Sequence, residues 1–450
     1  CPARASRVGD RSIRPIPSDT HRPMSRPESR PASILPSRPA RLAVLPLAAL
    51  VAACASGSGP ANSTMGASTA AATDPVAPER TYSVYVGAES ADLMHRVVLG
   101  PDGLEVERTI PVGEMAVENE GPHGFATSPD GRYIYMTTGH GVPDGKLWKF
   151  EAGADTLVGE PILLGWFPAT MDLTSDGLYA LIANFNLHGE MVPSTVSVVY
   201  TPDMVEVAQI ETCVMPHGLR MEPSGIFAYS NCMMNDLMIE IDTRTFEVSR
   251  RFSVAVGEEG PVEGTMAMDH AGMDHASMSG MDHAAGQSGM GAGGMGGMAM
   301  DPSCSPTWAE PSADGSRVYV ACNKGDRILE IDRDSWALLR TFETGRGPYN
   351  LDVTADGRML VATLKQGAGV EFFDLERGTS VGSLPSTTTV THGVVVSPDS
   401  RYAFVSVEGV GAEPGKVDAY DLTTMEQVGS VEVGQQAGGI TFWKMEPPLR

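Results

Sequence analysis

Three Met-Asp-His triplets, at 268–270, 273–275 and 281–283, fall in one stretch, GTMAMDHAGMDHASMSGMDHAAGQSGMGAGGMGGMAM, with nine of the chain's twenty-five methionines and no lysine or arginine. Thioether sulfur is soft and imidazole borderline. Met268, His270, Met273, His275, Met278, Met281 and His283 therefore form a ligand set suited to Cu(I), then to Cu(II) or zinc, rather than to hard cations. So polar and glycine-rich a segment cannot bury a core, and the insertion, taken as residues 257–303, is expected to be disordered without a ligand.

A second group is set by register. His123, His217 and His392 each stand eight residues before a turn residue, Gly131, Gly225 and Ser400, in phrases that otherwise read apolar strand, turn, apolar strand. Outside the N-terminal leader and the insertion the chain has only six histidines, at 95, 123, 140, 188, 217 and 392, so three in one register is not chance placement. Two readings stand. Neutral imidazoles converging on an axis make a metal site, for copper or zinc, or an electrophilic trap for an anion. Alternatively His-Gly is a structural device whose ring bonds to a neighbouring carbonyl.

Four cysteines repeat a pattern. Cys213 and Cys232 are 19 residues apart and Cys304 and Cys322 are 18 apart in consecutive phrases, each pair spanning one two-strand hairpin. In an oxidising compartment the expectation is two disulfides, Cys213–Cys232 and Cys304–Cys322. The rival reading is thiolate ligation beside Met215, Met233 and Met234.

The elements that must position these residues follow from the repeat itself. GPHGFATSPDGRYIYMT, FPATMDLTSDGLYALIA, MPHGLRMEPSGIFAYSN, SPTWAEPSADGSRVYVA, GPYNLDVTADGRMLVAT, VTHGVVVSPDSRYAFVS and the truncated AGGITFW recur every 42 to 48 residues, with one gap of 90 that holds the insertion. That period, with two further strands behind each phrase, predicts an all-β, seven-bladed β-propeller. The last phrase has one strand, and the N-terminal segments TYSVYVGAES, LMHRVVLG and LEVERTIPVG supply three with no phrase of their own. Closure is therefore expected by pairing the N-terminal strands with the C-terminal strand, which removes open sheet edges. In this register the inner-strand positions are His123, Ala169, His217, Thr307, Tyr349, His392 and, by extension, Gly439. Residues just past second strands, namely His140, Asn184, Asn186, His188, Asn231, Asn235, Asp236, Asn323, Lys324, Lys365 and Glu408, are weaker candidates and more often turn residues. No carboxylate base is recognisable beside the histidines; Glu408 is a candidate reached by counting past the second strand of the His392 blade.

Residues 1–53 read as a leader: arginines at 22, 26, 30, 38 and 41 precede the short apolar run LAVLPLAALVAAC, too short to span a bilayer, and Met24 is a plausible start. Val51-Ala52-Ala53-Cys54 resembles a bacterial lipoprotein box, which implies lipidation at Cys54, a flexible tether over 54–79, and attachment to a membrane through the lipid only. An ordinary cleaved signal peptide is the alternative. Residues 1–53 hold nine of the 32 basic and three of the 56 acidic residues, so the remainder carries a net formal charge of −30. Such a surface argues against nucleic acid as a partner. No Walker, H-E-x-x-H or C-x-x-C-H sequence occurs, which leaves nucleotide hydrolysis, zincin chemistry and covalent haem without support.

The phrases SPDGRYIYMT and ADGSRVYVACN, with IDRDSWALLRTFETG, resemble the YncE or YVTN-type β-propellers of bacterial envelopes over Arg80 to Trp443. The Met-Asp-His triplets are similar to the Met/His-rich tracts of bacterial copper-resistance proteins, which implies metal capture. Related seven-bladed rings include lactonases and the nitrous oxide reductase propeller, so fold alone does not choose a chemistry. Three functions follow as expectations. The first is an envelope-anchored, periplasmic or outer-surface protein that binds copper through the insertion and a three-histidine mouth. The second is a metal-dependent oxidoreductase or lactonase-like hydrolase. The third is a scaffold for an envelope protein partner.

Overall fold

The computed structural model describes residues 77–115, 117–140, 145–263 and 301–447. Cys54, the tether up to residue 76 and all seven metal candidates between Met268 and His283 lie outside the described residues.

Seven antiparallel sheets form the ring. Blade 1 joins the N-terminal strands Thr81–Ala88, Leu93–Gly100 and Gly103–Pro111 to the C-terminal Ala437–Glu446, which takes the inner place. The register Val84↔Phe442, Tyr85↔Thr441 and Val86↔Ile440 closes the circle as expected. Tyr82, Val84 and Val97 of this blade pack on Tyr402, Phe404 and Val417 of blade 7. Blades 2 to 7 begin with the inner strands Pro122–Thr127, Pro168–Leu173, Pro216–Met221, Pro306–Pro311, Pro348–Val353 and Thr391–Val396.

Sequence patterning explains each layer. Second strands such as Tyr179–Asn184 and Arg317–Cys322 are buried along almost their whole length, sandwiched between neighbouring blades, and they read as continuous apolar runs. Outer strands such as Ala337–Glu343 alternate exposed and covered residues. The Ser/Thr-x-Asp-Gly turn is stitched by its own side chains: Ser128 Oγ donates to Asp130 Oδ1 at 2.7 Å and accepts the Tyr133 N–H at 2.9 Å. Thr174 with Asp176, Ser312 with Asp314, Thr354 with Asp356 and Ser397 with Asp399 repeat the first bond. The turn glycines 131, 177, 225, 315 and 357 have φ between +70° and +75°, and Ser400 takes that backbone at +61°.

Two details differ from the sequence reading. A short fifth strand, Gly260–Val262, pairs with Glu247–Ser253 at the edge of blade 4, and Glu259 pairs with Arg327 at 2.6 Å, so residues 257–263 belong to the blade and not to a disordered insertion. In blade 1 the residue equivalent to His123 is Gly438. Gly439 instead matches Gly124, because a Cβ on Gly439 would strike the His123 carbonyl just as one on Gly124 would strike that of Ala169.

Candidate active site at the propeller mouth

Two rings of side chains line one end of the tunnel. The first is the second residue of each inner strand: Gly438, His123, Ala169, His217, Thr307, Tyr349 and His392 in blades 1 to 7. The second is the residue following each second strand: Glu89, Gly139, Phe185, Met233, Asn323, Lys365 and Glu408. All of these but Gly438, Ala169 and Gly139 enclose, together with Phe167, His140, Leu187 and Gln436, a cavity of about 310 Å³. The residue before each inner strand, Gly121, Phe167, Met215, Ser305, Gly347, Val390 or Gln436, has φ between +48° and +66°. Five of these are not glycine, a backbone choice costing of order 1–3 kcal/mol each. Asp92, Asp236 and Asp326 hold three of these bends by accepting the Gly121, Ser305 and Gly347 N–H groups at 2.7 to 2.8 Å. Asp236 is thus a turn residue.

His123, His217 and His392 are all buried and face the same cavity. Ring centroids are 5.8 Å apart for His123 and His392 and 6.5 Å for His123 and His217, while Tyr349 sits between His217 and His392 at 5.7 and 4.7 Å. Among the described residues no group of three or more His, Cys, Asp or Glu is arranged to hold a metal ion.

The polar contacts are specific. His123 Nδ1 donates to Glu89 Oε1 at 2.7 Å, and the ring lines the cavity. Glu89 Oε2 also receives Gln436 Nε2 at 3.0 Å and His140 Nε2 at 3.2 Å. His217 Nδ1 donates to the Thr307 carbonyl at 2.9 Å, and its Nε2 accepts from Tyr349 Oη at 3.3 Å. Lys365 Nζ lies 2.9 Å from Glu408 Oε1 and 4.2 Å from the Tyr349 ring centre, and Glu408 is 3.8 Å from His392 Nε2. His392 Nδ1 is buried without a partner.

Burial drives His217 down to about 3 and His392 well below the usual imidazole value, so both are neutral bases at physiological pH. Burial raises Glu89, but the neighbouring His123 and the hydrogen bonds from His123 and His140 outweigh it and hold the group as a carboxylate. Burial lowers Lys365, yet Tyr349 and Glu408 more than compensate and keep it an ammonium. The Tyr349 phenol is pushed up by burial and stays a donor.

Below the mouth the tunnel narrows to a void of about 20 Å³ lined by His123, Arg220, Trp308, Asn350 and His392, room for roughly one water. Arg220 there bonds Glu310 at 3.2 Å, and burial raises the carboxyls of Glu310 and Asp352, the latter to about 6. A larger cleft of about 600 Å³ lies at the opposite end of the blades, around the turns Ser128–Asp130 and Ser175–Gly177, and has no histidine in its lining.

Of the weaker sequence candidates, Lys365, Glu408, Asn323 and His140 reach the cavity. His188 stacks on the rim 3.4 Å from His140. Asn184 braces its own blade through Ser197 at 2.8 Å, and Lys324 pairs with Asp301. The sequence reading missed Glu89. Its signal is its place one residue after a second strand, hidden because blade 1 opens without the repeated phrase.

The cysteines pair as expected, Cys213 with Cys232 and Cys304 with Cys322: the first ties the end of the outer strand of blade 3, Val205–Val214, to the end of the second strand of blade 4, and the second ties the residue two before the inner strand of blade 5 to the end of that blade's second strand. Two disulfides are those of an extracytoplasmic chain. They flank Met233 and Asn323 of the cavity wall. The C-terminal root of the insertion lies on this same rim: Ser303 N donates to Asp236 Oδ2 at 2.5 Å in the turn that follows Met233, and Asp301 meets Lys324.

No family model and no curated protein sequence matches the chain. Solved structures do. The periplasmic gluconolactonase of Pseudomonas aeruginosa is 16% identical, with 82% of this chain and 100% of that one covered at a TM-score of 0.57. Hydrazine synthase of Kuenenia stuttgartiensis is 16% identical over 73% of this chain and 92% of its own, TM-score 0.52. A functionally unknown protein of Desulfotomaculum acetoxidans is 15% identical over 80% and 98%, TM-score 0.57. At these identities the likeness establishes the seven-bladed β-propeller and nothing finer.

Proposed function

We propose that the mouth is a hydrolytic site that opens lactones or related esters by general acid–base catalysis. The observation that carries this is the buried Glu89–His123 pair at 2.7 Å. An imidazole whose Nδ1–H is held by a carboxylate presents a basic Nε2, and this is the oriented base that the sequence reading lacked. Water in the cavity gives a proton to His123 Nε2 as its oxygen bonds the acyl carbon. The oxyanion that forms is met by the Lys365 ammonium and by the Tyr349 hydroxyl, whose O–H turns to it from His217 Nε2. The ring C–O bond then breaks, and the alkoxide takes the proton back from His123 to leave a hydroxy acid. The gluconolactonase likeness of the ring is consistent with this chemistry. Lactone hydrolysis followed by pH-stat tests it: His123→Ala and Glu89→Gln are expected to lower kcat by roughly a hundredfold or more with the far-ultraviolet spectrum unchanged. Turnover unaffected by His123→Ala overturns the assignment.

A second reading rests on a different observation, the rooting of the Met/His-rich insertion on the rim of the imidazole-lined mouth. On it, the protein is a YncE-type envelope lipoprotein anchored at Cys54, the insertion collects copper, and His123, His217 and His392 accept it, with zinc as the alternative ion. Two of these imidazoles have one nitrogen fixed by a protein acceptor, as metal-ligating histidines do.

A further inference from the structure

The cavity wall is divided by chemistry, and the division runs with blade number. Blades 3 and 4 give it Phe167, Phe185, Leu187 and Met233, backed by a packed cluster that includes Ala169, Val214 and Met215. The loop after Phe185 continues this surface outward with Leu187, Met191 and Val192, all more than a third exposed. Blades 5, 6, 7 and 1 give it Asn323, Tyr349, Lys365, Glu408, Glu89 and Gln436. His123 stands at one junction of the two arcs, its ring 5.1 Å from that of Phe167, and His217 at the other, 4.9 Å from Phe185.

From this two-sided wall we infer that the substrate is amphipathic: a lactone or ester whose carbonyl faces the Lys365 arc and whose alkyl or aryl substituent lies along the Phe167–Phe185–Met233 arc. The inference rests on the hydrolytic reading of the same site and goes further by naming the substrate class. A polyhydroxylated sugar lactone would press hydroxyl groups against Phe167, Phe185 and Met233, which offer them no hydrogen bond, with only the imidazoles of His123, His140 and His217 at the margins of that arc to take some of them, and this is unfavourable. An alkyl chain would bury there instead, and the exposed Leu187, Met191 and Val192 would extend its path beyond the cavity.

The test uses the purified full chain and δ-lactones of increasing side chain, δ-valerolactone, δ-octalactone, δ-decalactone and δ-dodecalactone, with glucono-δ-lactone for comparison. Expected is a rise in kcat/KM of roughly threefold per methylene up to a plateau, glucono-δ-lactone falling below δ-decalactone, and a shallower rise in Phe185→Ser and Met233→Ser. Hydrolysis with a flat chain-length dependence, or with glucono-δ-lactone preferred, overturns the inference and leaves the hydrolytic reading standing. If no lactone is hydrolysed, that reading fails, and calorimetric binding of 5-hydroxyvalerate against 5-hydroxydodecanoate decides this one. Tighter binding of the long acid by at least tenfold supports it, and equal affinity sinks it. Binding by the wild type also serves where the serine variants fail to fold.

Discussion

His217 is the mouth imidazole whose state is most sharply defined, and replacing it by glutamine gives a direct measure of that state. The side chain is 2% exposed, donates to the Thr307 carbonyl, and titrates at about 3 because burial penalises the cation. In the unfolded chain its value returns to about 6.5. Below pH 6.5 the unfolded state therefore binds a proton that the folded state refuses until about pH 3. The contribution is complete above pH 6.5 and is lost progressively as pH falls, by about 1.4 kcal/mol per unit, or about 2 kcal/mol at pH 5. Glutamine keeps a donor for Thr307 and does not titrate. Urea unfolding of both proteins at pH 8 and pH 5 should show the wild type losing about 2 kcal/mol relative to His217→Gln on acidification. The difference between proteins is the quantity to read, because Asp352, raised to about 6, pulls the opposite way in both. A difference constant within about 0.5 kcal/mol would show that His217 charges in the fold as readily as in water, and would remove the basis for treating it as a neutral acceptor or ligand.

Two further outcomes are expected. Reducing both disulfides, or replacing Cys213 with Cys232 and Cys304 with Cys322 by serine pairs, should cost about 3 kcal/mol per bridge for loops of 19 and 18 residues, read as a lower urea midpoint; an unchanged midpoint refutes a structural role. For the copper reading, deleting residues 265–300 should remove most of the Cu(I) bound in a competition assay with a chromophoric chelator, and unchanged stoichiometry and affinity would exclude the insertion as collector.

Much of the architecture was legible because a propeller repeats its local physics. The Ser/Thr-x-Asp-Gly turn, the continuous apolar second strand and the alternating outer strand each mark a place in a blade, so a register counted from turn glycines puts His123, His217 and His392 on one axis. Counting fails where the repeat does. Blade 1 is assembled from both chain ends, so its turn glycine is missing; the inner-strand position was read one residue late at Gly439, and Glu89 had no phrase to be counted from. Distances between rings were also illegible, since register fixes which residues face the axis and not how Tyr349 would wedge between His217 and His392.

The same reasoning locates function in departures from the repeat. A seven-fold ring of identical residues would present a symmetric mouth, which cannot tell one end of a substrate from the other. Here the inner position of blade 1 is Gly438, and a Cβ there would collide with Glu89 Oε1. The missing side chain is thus the space in which Glu89 reaches His123. Ala169 plays a similar part in blade 3, where a small inner residue sits among the aromatic rings of Phe167 and Phe185. Two small residues at equivalent positions therefore admit a carboxylate on one side and an aromatic wall on the other, with His123 of blade 2 between them, and it is this pairing that turns a scaffold ring into a directional site.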